Sequence, residues 1–294
     1  MMNKLRIREI IAAILFVLPN FLGFLVFILL PVAASFALSF FQWDLLTPPK
    51  FIGFLNFSNL VTDKAFLNAM YNTLFLLLGI PLSIGASLLL ALLISKPMRG
   101  VVAYRTMYFI PTICAGVGLL LLWRWIYNPD FGLLNVLLSY IGVKGPDWLG
   151  SIMWAKPALI FMGIWSSMGG TNMILYLAAL QGVNPELYEA ASIDGANAWQ
   201  KFRHITWPMI SPTTFFIVIM SIIAGFQGNF DNVYIMTRGG PAGSTETLSL
   251  HIYTHAYNLY NMGYAAAMSW ILFVIIFVIT ILNWKYGGRK VHYA

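Results

Sequence analysis

Charged side chains are scarce in this chain of 294 residues: Asp, Glu, Lys and Arg together make up 9% of it, whereas 60% is hydrophobic. A soluble domain of ordinary composition has about 25% charged residues. So few charges cannot cover the core of a soluble globule of this length. The composition therefore excludes that class and indicates a protein embedded in a lipid bilayer.

Several signatures of enzymes and of cross-linked domains are also absent. The single cysteine, Cys114, excludes an intrachain disulfide. There is no G-x-x-x-x-G-K-[ST] loop for nucleotide phosphates and no G-x-S-x-G elbow for a nucleophilic serine. His251 and His255 have a helical spacing, but neither H-E-x-x-H nor a third ligand accompanies them. We expect a structural role for this pair, and no enzymatic activity, metal or cofactor in this chain.

Long apolar runs are what the sequence has in abundance. About 20 apolar residues are needed to cross the ~30 Å of hydrocarbon in a bilayer. The predicted fold class is an all-α membrane protein, a single domain over residues 1–294 with six transmembrane helices. The expected spans are about 10–38, 70–94, 104–126, 152–180, 209–230 and 265–285. The first run is longer than the core of a signal peptide, so we expect it to be a retained span.

The positions of Lys and Arg predict the orientation, because basic residues of short loops stay on the cytoplasmic side. With both termini in the cytoplasm, 11 of the 17 basic residues are cytoplasmic and 6 are external. This arrangement places residues 184–212, between spans four and five, in the cytoplasm. The net charge of +7 is then explained by topology and contact with anionic lipid, and we expect no nucleic-acid partner.

Polar and small side chains lie in the middle of span four and near the end of span five, where an isolated polar group is costly in lipid. At helical spacing, Ser167 or Met168 falls in line with Thr171, and Gly225 falls in line with Asn229. We expect such stripes to face protein or a water-filled cavity. Amides and hydroxyls beside aromatic residues favour a neutral, hydroxyl-rich solute. The alternative is that small and hydroxyl residues only hold the helices together.

The segment ELYEAASIDGANAWQKFRHITWPMISP at 186–212 is polar and has the signals of two short helices. Asn184 is a suitable N-cap for the first helix, which is predicted to end near Gly195, where glycine adopts the left-handed conformation. A second helix is predicted from about Ala196, and Pro208 marks the start of span five. The first helix is acidic, which opposes contact with anionic headgroups, and its small residues favour docking against another protein.

The residues of this segment also resemble a known family. E-A-A-x-x-D-G-A at 189–196, followed by I-T-W-P at 205–208, is similar to the EAA loop of the permease subunits of bacterial ABC importers. Y-I-M-T-R-G-G-P at 234–241 resembles the carbohydrate branch of that family, and the similarity extends over most of residues 15–285. Trp207 departs from the family, which usually has Leu at this position.

The resemblance implies a permease subunit in a bacterial inner membrane that moves a sugar or related polyol and leaves ATP and magnesium to other subunits. Implied partners are a second homologous permease subunit in a heterodimer, two ATP-binding subunits and an extracytoplasmic solute-binding protein. The implied ATPase-coupling residues are Glu186, Glu189, Ala190, Ala191, Asp194, Gly195 and Ala196. The implied substrate-pathway residues are Ser167, Met168, Thr171, Asn172, Ile222, Gly225, Phe226 and Asn229.

Two alternatives remain open at the level of sequence. One is a permease of the same machine type for an amino acid or a polyamine. The other is a secondary transporter, which would need titratable residues inside the membrane, and these spans have few. Thr171 stands where the maltose permeases have an aromatic hydroxyl, so the solute of those relatives is not transferred to this chain.

Overall fold

The structure is a computed structural model that describes residues 4–96, 98–114 and 116–287, without the side chains of 4–7, 228, 229 and 286. The described part is mostly helical, as the composition predicts. It divides into two units, Met1–Asp63 with Ile252–Leu272 and Lys64–His251 with Phe273–Ala294.

The helices follow one another with short connections. They are α1 (Lys4–Phe24), α2 (Leu30–Leu38), α3 (Leu55–Thr62), α4 (Lys64–Leu76), α5 (Gly79–Ser95), α6 (Val101–Ile113), α7 (Gly116–Ile126), α8 (Leu133–Tyr140), α9 (Ala155–Met168), α10 (Thr171–Gln181), α11 (Pro185–Ile193), α12 (Ala198–Lys201), α13 (Trp207–Met236), α14 (Leu248–Tyr253) and α15 (Met262–Gly287). Three π-helical turns lie at Leu25–Leu29, Phe202–Thr206 and Thr254–Asn258. Two short antiparallel strands, β1 (Phe41–Gln42) and β2 (Lys50–Phe51), pair Phe41 with Phe51.

Four helical runs are long and apolar enough to cross a membrane: Arg8–Leu38, Lys64–Ser95, Ala198–Gln227 and Met262–Lys285. Two further runs are pairs of helices bent at a break, α6 with α7 by 99° and α9 with α10 by 43°. The described residues therefore hold four candidate spans, and six if each bent pair is one span. The count of six stays a prediction.

The start of span five differs from the expectation of a separate helix that ends before Pro208. Here α12, a π turn and α13 form one uninterrupted helical run. Proline lacks an N–H group and its ring crowds the carbonyl four residues earlier. The π turn widens the helix just before Pro208, where the Trp207 N–H donates to the Phe202 carbonyl. The run begins at Ala198, two residues later than expected, because Asn197 and Gln200 form a capping box.

The core of the second unit lies where α5, α10 and α13 pack together. Its buried members are Ile84, Leu90, Ala91, Ile94, Met173, Tyr176, Leu177, Ile210 and Ile217. Gly169, at the break between α9 and α10, allows α6 to approach closely, because a Cβ atom there would overlap the backbone of Tyr108. The break in span four is thereby fixed by packing against both α5 and α6.

In the first unit, side chains fix the connection between α2 and α3. The buried Asn56 donates hydrogen bonds from Nδ2 to the carbonyls of Ser39 (2.8 Å) and Phe41 (3.0 Å). The backbone N–H and the hydroxyl of Thr47 both donate to Asp44 Oδ1, and these bonds hold the pKa of Asp44 below its ordinary value. This connection is thus ordered by local hydrogen bonds.

Candidate functional site

A cavity of about 660 Å³ opens in the second unit between α4, α5, α9, α10 and α13. This volume lies in the range of small-molecule sites, about 300–1,000 Å³. Its polar lining consists of Ser83, Ser167, Thr171, Asn172, Ser221 and Asn232. The rest of the described lining is aliphatic side chains, glycines, one phenylalanine and one methionine, and no described lining residue carries a charge. The cavity suits a neutral solute that can exchange hydrogen bonds with hydroxyl and amide groups.

Four of the eight expected pathway residues line this cavity: Ser167, Thr171, Asn172 and Gly225. Three of them surround the break between α9 and α10, and Gly225 lies on α13. A Cβ atom on Gly225 would come within 2.7–2.8 Å of the side chains of Leu77 and Ile80. The absence of a side chain at this position therefore lets α13 lie against the junction of α4 and α5.

The other four expected residues are placed differently. Met168 packs against the core of α5, α10 and α13. Phe226 is 1% exposed, Ile222 is half-buried, and neither lines the cavity. Successive residues of a helix point about 100° apart, so Phe226 can be buried although the neighbouring Gly225 lines the cavity. The Asn229 side chain lies outside the described residues.

The hydroxyl groups at the break differ in their hydrogen bonding. Ser167 donates to the Gly163 carbonyl at 2.7 Å and shares a 2.5 Å hydrogen bond with Ser83 of α5. Thr171 and Asn172, by contrast, form no side-chain hydrogen bond with another residue of the described part of the chain, and Thr171 is exposed on the cavity wall. Ser167 therefore joins two helices, whereas Thr171 and Asn172 are available to a solute.

Ser83 and Ser221 also line the cavity and were missed by sequence reasoning, as was a pathway role for Asn232. A signal existed for the last two, because Ser221, Gly225 and Asn232 lie four and seven residues apart and so fall near one face of a helix. Ser83 and Ser87 are likewise four apart in an otherwise apolar span, where Ser87 donates to the Ser83 carbonyl at 2.9 Å.

The segment after α10 has the local geometry that its sequence predicts. Asn184 Oδ1 accepts a 3.0 Å hydrogen bond from the Glu186 N–H at the start of α11. Gly195 has φ +76°, and the Ala196 N–H donates to the Ala191 carbonyl at 2.9 Å. This is the hydrogen bond by which a left-handed glycine closes a helix. The helix and its terminal turn are therefore defined by their caps.

No residue of α11 is buried. The seven expected coupling residues lie on this helix or in the turn after it, five exposed and two half-buried: Glu186, Glu189, Ala190, Asp194 and Gly195, then Ala191 and Ala196. Ile193 adds an apolar side chain that is 88% exposed. An exposed helix with acidic, small and apolar side chains presents a surface to which another protein can bind.

Two side-chain contacts tie α11 to the long helical run that follows it. Tyr188 and Thr206 share a 2.9 Å hydrogen bond between their hydroxyls, and Lys201 Nζ donates to Ser192 Oγ at 2.7 Å. Thr206 is buried in this contact region. The same helical run lines the cavity farther along, so α11 is joined by these contacts to a helix of the cavity wall.

Neither histidine of the spaced pair takes part in a metal cluster within the described residues, which contain no group of three or more potential ligands. His251 is buried, and its Nδ1 forms a 2.8 Å hydrogen bond with Glu246 Oε1. A structural role for the pair stays a prediction.

Known proteins resemble this chain over almost its full length. The model of the family described as "Binding-protein-dependent transport system inner membrane component" matches residues 6–284. The probable ABC transporter permease protein YesP of Bacillus subtilis is 36% identical over 292 residues, covering 97% of this chain and 93% of YesP. The lactose transport system permease protein LacF of Rhizobium radiobacter is 36% identical over 283 residues, covering 94% of this chain and 93% of LacF.

The fold also resembles a chain of a solved transporter. The crystal structure of a bacterial alginate ABC transporter, in complex with an alginate pentasaccharide-bound periplasmic protein, contains a chain of TM-score 0.84 and 26% identity, with 98% of each chain covered. These relatives are membrane components that are not themselves enzymes. With its apolar helices, its uncharged cavity and a family match over almost its whole length, the chain belongs to the inner membrane components of binding-protein-dependent transport systems.

Proposed function

We propose that the chain is the permease subunit of an ABC importer that translocates a sugar or related polyol into the cytoplasm. The cavity carries this proposal, because hydroxyl and amide groups in an uncharged wall can both donate to and accept from sugar hydroxyls. A charged solute would call for a charge of opposite sign in so apolar a site. A relative named for lactose transport supports the same class of solute.

Within the cavity, we assign solute contact to Thr171 and Asn172 on one wall and to Ser221 and Asn232 on the other. None of these four side chains makes a hydrogen bond with another described residue, so all four are available to a solute. Ser167 and Gly225 shape the wall. Of the remaining expected pathway residues, Met168, Ile222 and Phe226 support the wall from behind, and a pathway role for Asn229 stays a prediction.

The proposed assembly is a heterodimer of two permease subunits with two ATP-binding subunits and an extracytoplasmic binding protein. The chain spans a bacterial inner membrane six times with both termini in the cytoplasm, and α11 is the coupling helix that docks on an ATP-binding subunit. A shift from 1:99 to 99:1 between inward and outward states needs about 5.5 kcal/mol of differential binding. Tyr188 and Lys201 carry this change from α11 to the helix of the cavity.

Uptake by the reconstituted transporter tests the solute class. Proteoliposomes with all subunits and the cognate binding protein are supplied with radiolabelled mono- and oligosaccharides or with labelled amino acids and polyamines. We expect ATP-dependent uptake of a saccharide, and stimulation of ATP hydrolysis by the saccharide-loaded binding protein. Uptake of an amino acid or polyamine with no saccharide transported would refute the proposed solute class.

Charge reversal at Glu189 tests the docking of α11. Glu189→Lys places a positive charge where the ATP-binding subunit meets an acidic helix, so we expect weaker co-purification of that subunit. Asp130→Lys reverses an exposed acidic residue outside this segment and serves as the control. Equal recovery of the ATP-binding subunit with both variants would contradict docking through this face of α11.

A further inference from the structure

A second cavity, of about 390 Å³, forms a groove between α6 and α10. Its polar lining is Arg105, Thr106 and Gln181, and its apolar lining includes Phe109, Ile174 and Ala178. The groove is distinct from the solute cavity, because Thr171, Asn172 and Leu175 of α10 face the solute cavity and none of them lines the groove. The two cavities therefore lie on different faces of α10.

The groove has a more polar end and a more apolar end. Near the break in span four the two helices touch, because a Cβ atom on Gly169 would overlap the Tyr108 backbone and one on Gly170 would lie 3.0 Å from Thr112 Oγ1. From this contact, which is the closed end, the lining runs along α10 from Ile174 to Gln181 at the open end. The apolar side chains thus lie nearer the closed end, and Arg105 and Gln181 lie nearer the open end.

Arg105 has more donors than the protein uses. Its Nη2 donates to the Ile94 carbonyl at 3.0 Å, and its buried Nε has no hydrogen-bond partner among the described residues. A guanidinium has five N–H donors, and a buried donor without an acceptor is unfavourable. The described residues contain no carboxylate within 4.0 Å of Arg105, since their one ion pair is His251 with Glu246.

The surroundings of Arg105 are also positively charged. Lys96 and Arg99 precede it, and the sequence has no acidic residue between positions 64 and 129. Under the proposed orientation, the open end of the groove lies at the cytoplasmic surface of the bilayer. Anionic headgroups are attracted to basic clusters at that level, and basic pockets between membrane helices bind them.

We propose that this groove binds an anionic phospholipid, with its phosphate on Arg105 and an acyl chain along Phe109, Ile174 and Ala178. A phosphate oxygen supplies the acceptor that Arg105 Nε lacks, and guanidinium pairs well with phosphate. The graded polarity matches a headgroup at the open end and a hydrocarbon chain toward the closed end. The bound lipid wedges α6 away from α10 and so supports the broken span that carries Thr171.

Lipid binding to the assembled transporter tests this site without measuring transport. The complete complex is delipidated in detergent and titrated with phosphatidylglycerol or phosphatidylcholine, and bound lipid is counted by native mass spectrometry. We expect Arg105→Gln to weaken phosphatidylglycerol binding by at least about tenfold, or ~1.4 kcal/mol. Arg99→Gln, which removes an exposed charge outside the groove, serves as the matched control and should bind like wild type.

Ala178→Trp provides a second variant, because it fills the groove and leaves the Arg105 contact to Ile94 in place. This variant should also bind less phosphatidylglycerol. If the Arg105→Gln complex does not assemble, Ala178→Trp alone tests whether lipid occupies the groove. Wild-type phosphatidylglycerol binding by Ala178→Trp, or equal binding of phosphatidylcholine and phosphatidylglycerol by the wild type, would overturn the proposal. So would a disulfide formed, under an added oxidant, between Ala178→Cys and a cysteine introduced into a helix of the second permease subunit, which would show protein in the groove.

Discussion

At the scale of single residues, the hydroxyl groups near the break in span four divide into two kinds. Ser166 donates to the Met162 carbonyl at 2.9 Å, and Ser167 bonds to both its own helix and Ser83. Thr171 makes no such bond to another described residue. Hydroxyl groups of the first kind make their hydrogen bonds within the protein, whereas the hydroxyl of Thr171 is available to a hydroxyl-rich solute. Substitutions at the two kinds should therefore have different consequences.

Thr171→Val removes the hydroxyl and keeps the shape of the side chain. If that hydroxyl binds the solute, its loss costs about 0.5–1.5 kcal/mol, which raises the KM of uptake roughly 2- to 10-fold. Ser166→Ala is the matched control, because its hydroxyl bonds only within its own helix and does not line the cavity. Both should reach the membrane in wild-type amounts. Reduced abundance of Thr171→Val, or unchanged uptake, would remove Thr171 from the solute contacts.

Gly195 tests the turn that ends α11. Its φ is +76°, and a Cβ atom would have no neighbour within 4 Å, so the cost of a side chain here is conformational and not steric crowding by neighbours. Gly195→Val should cost about 1–2 kcal/mol in the left-handed region and lower transport and sugar-stimulated ATP hydrolysis, with the subunit still inserted. Gly195→Asn tolerates this region and should stay near wild type. Full activity of Gly195→Val would show that the turn geometry is dispensable.

The features at this scale that could be predicted are those with local causes. Asn184 and Gly195 act through bonds within a few residues, so their sequence signals are sufficient. The direction in which a helical residue faces could not be predicted in this way. The spacing of Gly225 and Phe226 fixes the angle between them but not which of the two faces the cavity. The rotation of α13 is set by Leu77 and Ile80 against Gly225, and such contacts from distant helices leave no local trace in the sequence.

At the scale of helices, proline does not interrupt the chain where its usual effect predicts a break. Pro31 and Pro208 each follow a π-helical turn, Leu25–Leu29 and Phe202–Thr206, and the helix continues through both. A backbone group without a hydrogen-bond partner is costly, so a widened turn that keeps the other bonds is favoured over a break in the helix. As a result, α11 connects through one continuous helical run to the wall of the cavity.

Two glycines of span four should respond differently to substitution by alanine. Gly169→Ala places a Cβ atom against the Tyr108 backbone, whereas a Cβ atom on Gly163 meets nothing within 4 Å. Overpacking of this kind costs roughly 1–3 kcal/mol. We expect a lower thermal stability and membrane abundance for Gly169→Ala and wild-type values for Gly163→Ala. Equal stabilities would mean that α6 does not pack against the break.

At the scale of the whole molecule, the fold class follows from the lipid bilayer that surrounds the chain. A bilayer leaves α-helices as the spanning element for so apolar a sequence, so composition alone predicts an all-helical membrane protein. The bends between α6 and α7 and between α9 and α10 cannot be predicted from hydropathy. The mean hydropathy of an apolar segment is the same whether its helix is straight or broken. The number of crossings therefore rests on whether each bent pair spans the membrane.

Cysteine labelling on the two sides of the membrane decides whether α9 and α10 together cross it, and in which orientation. In a Cys114→Ser background, single cysteines replace Lys144 before α9 and Ile193 in α11, both of which are exposed. Because 11 of 17 basic residues are expected inside, an impermeant maleimide should label Lys144→Cys in intact right-side-out vesicles. Ile193→Cys should react only after permeabilisation. The opposite pattern would invert the topology, and labelling of both residues from one side would make α9 and α10 a re-entrant pair rather than a span.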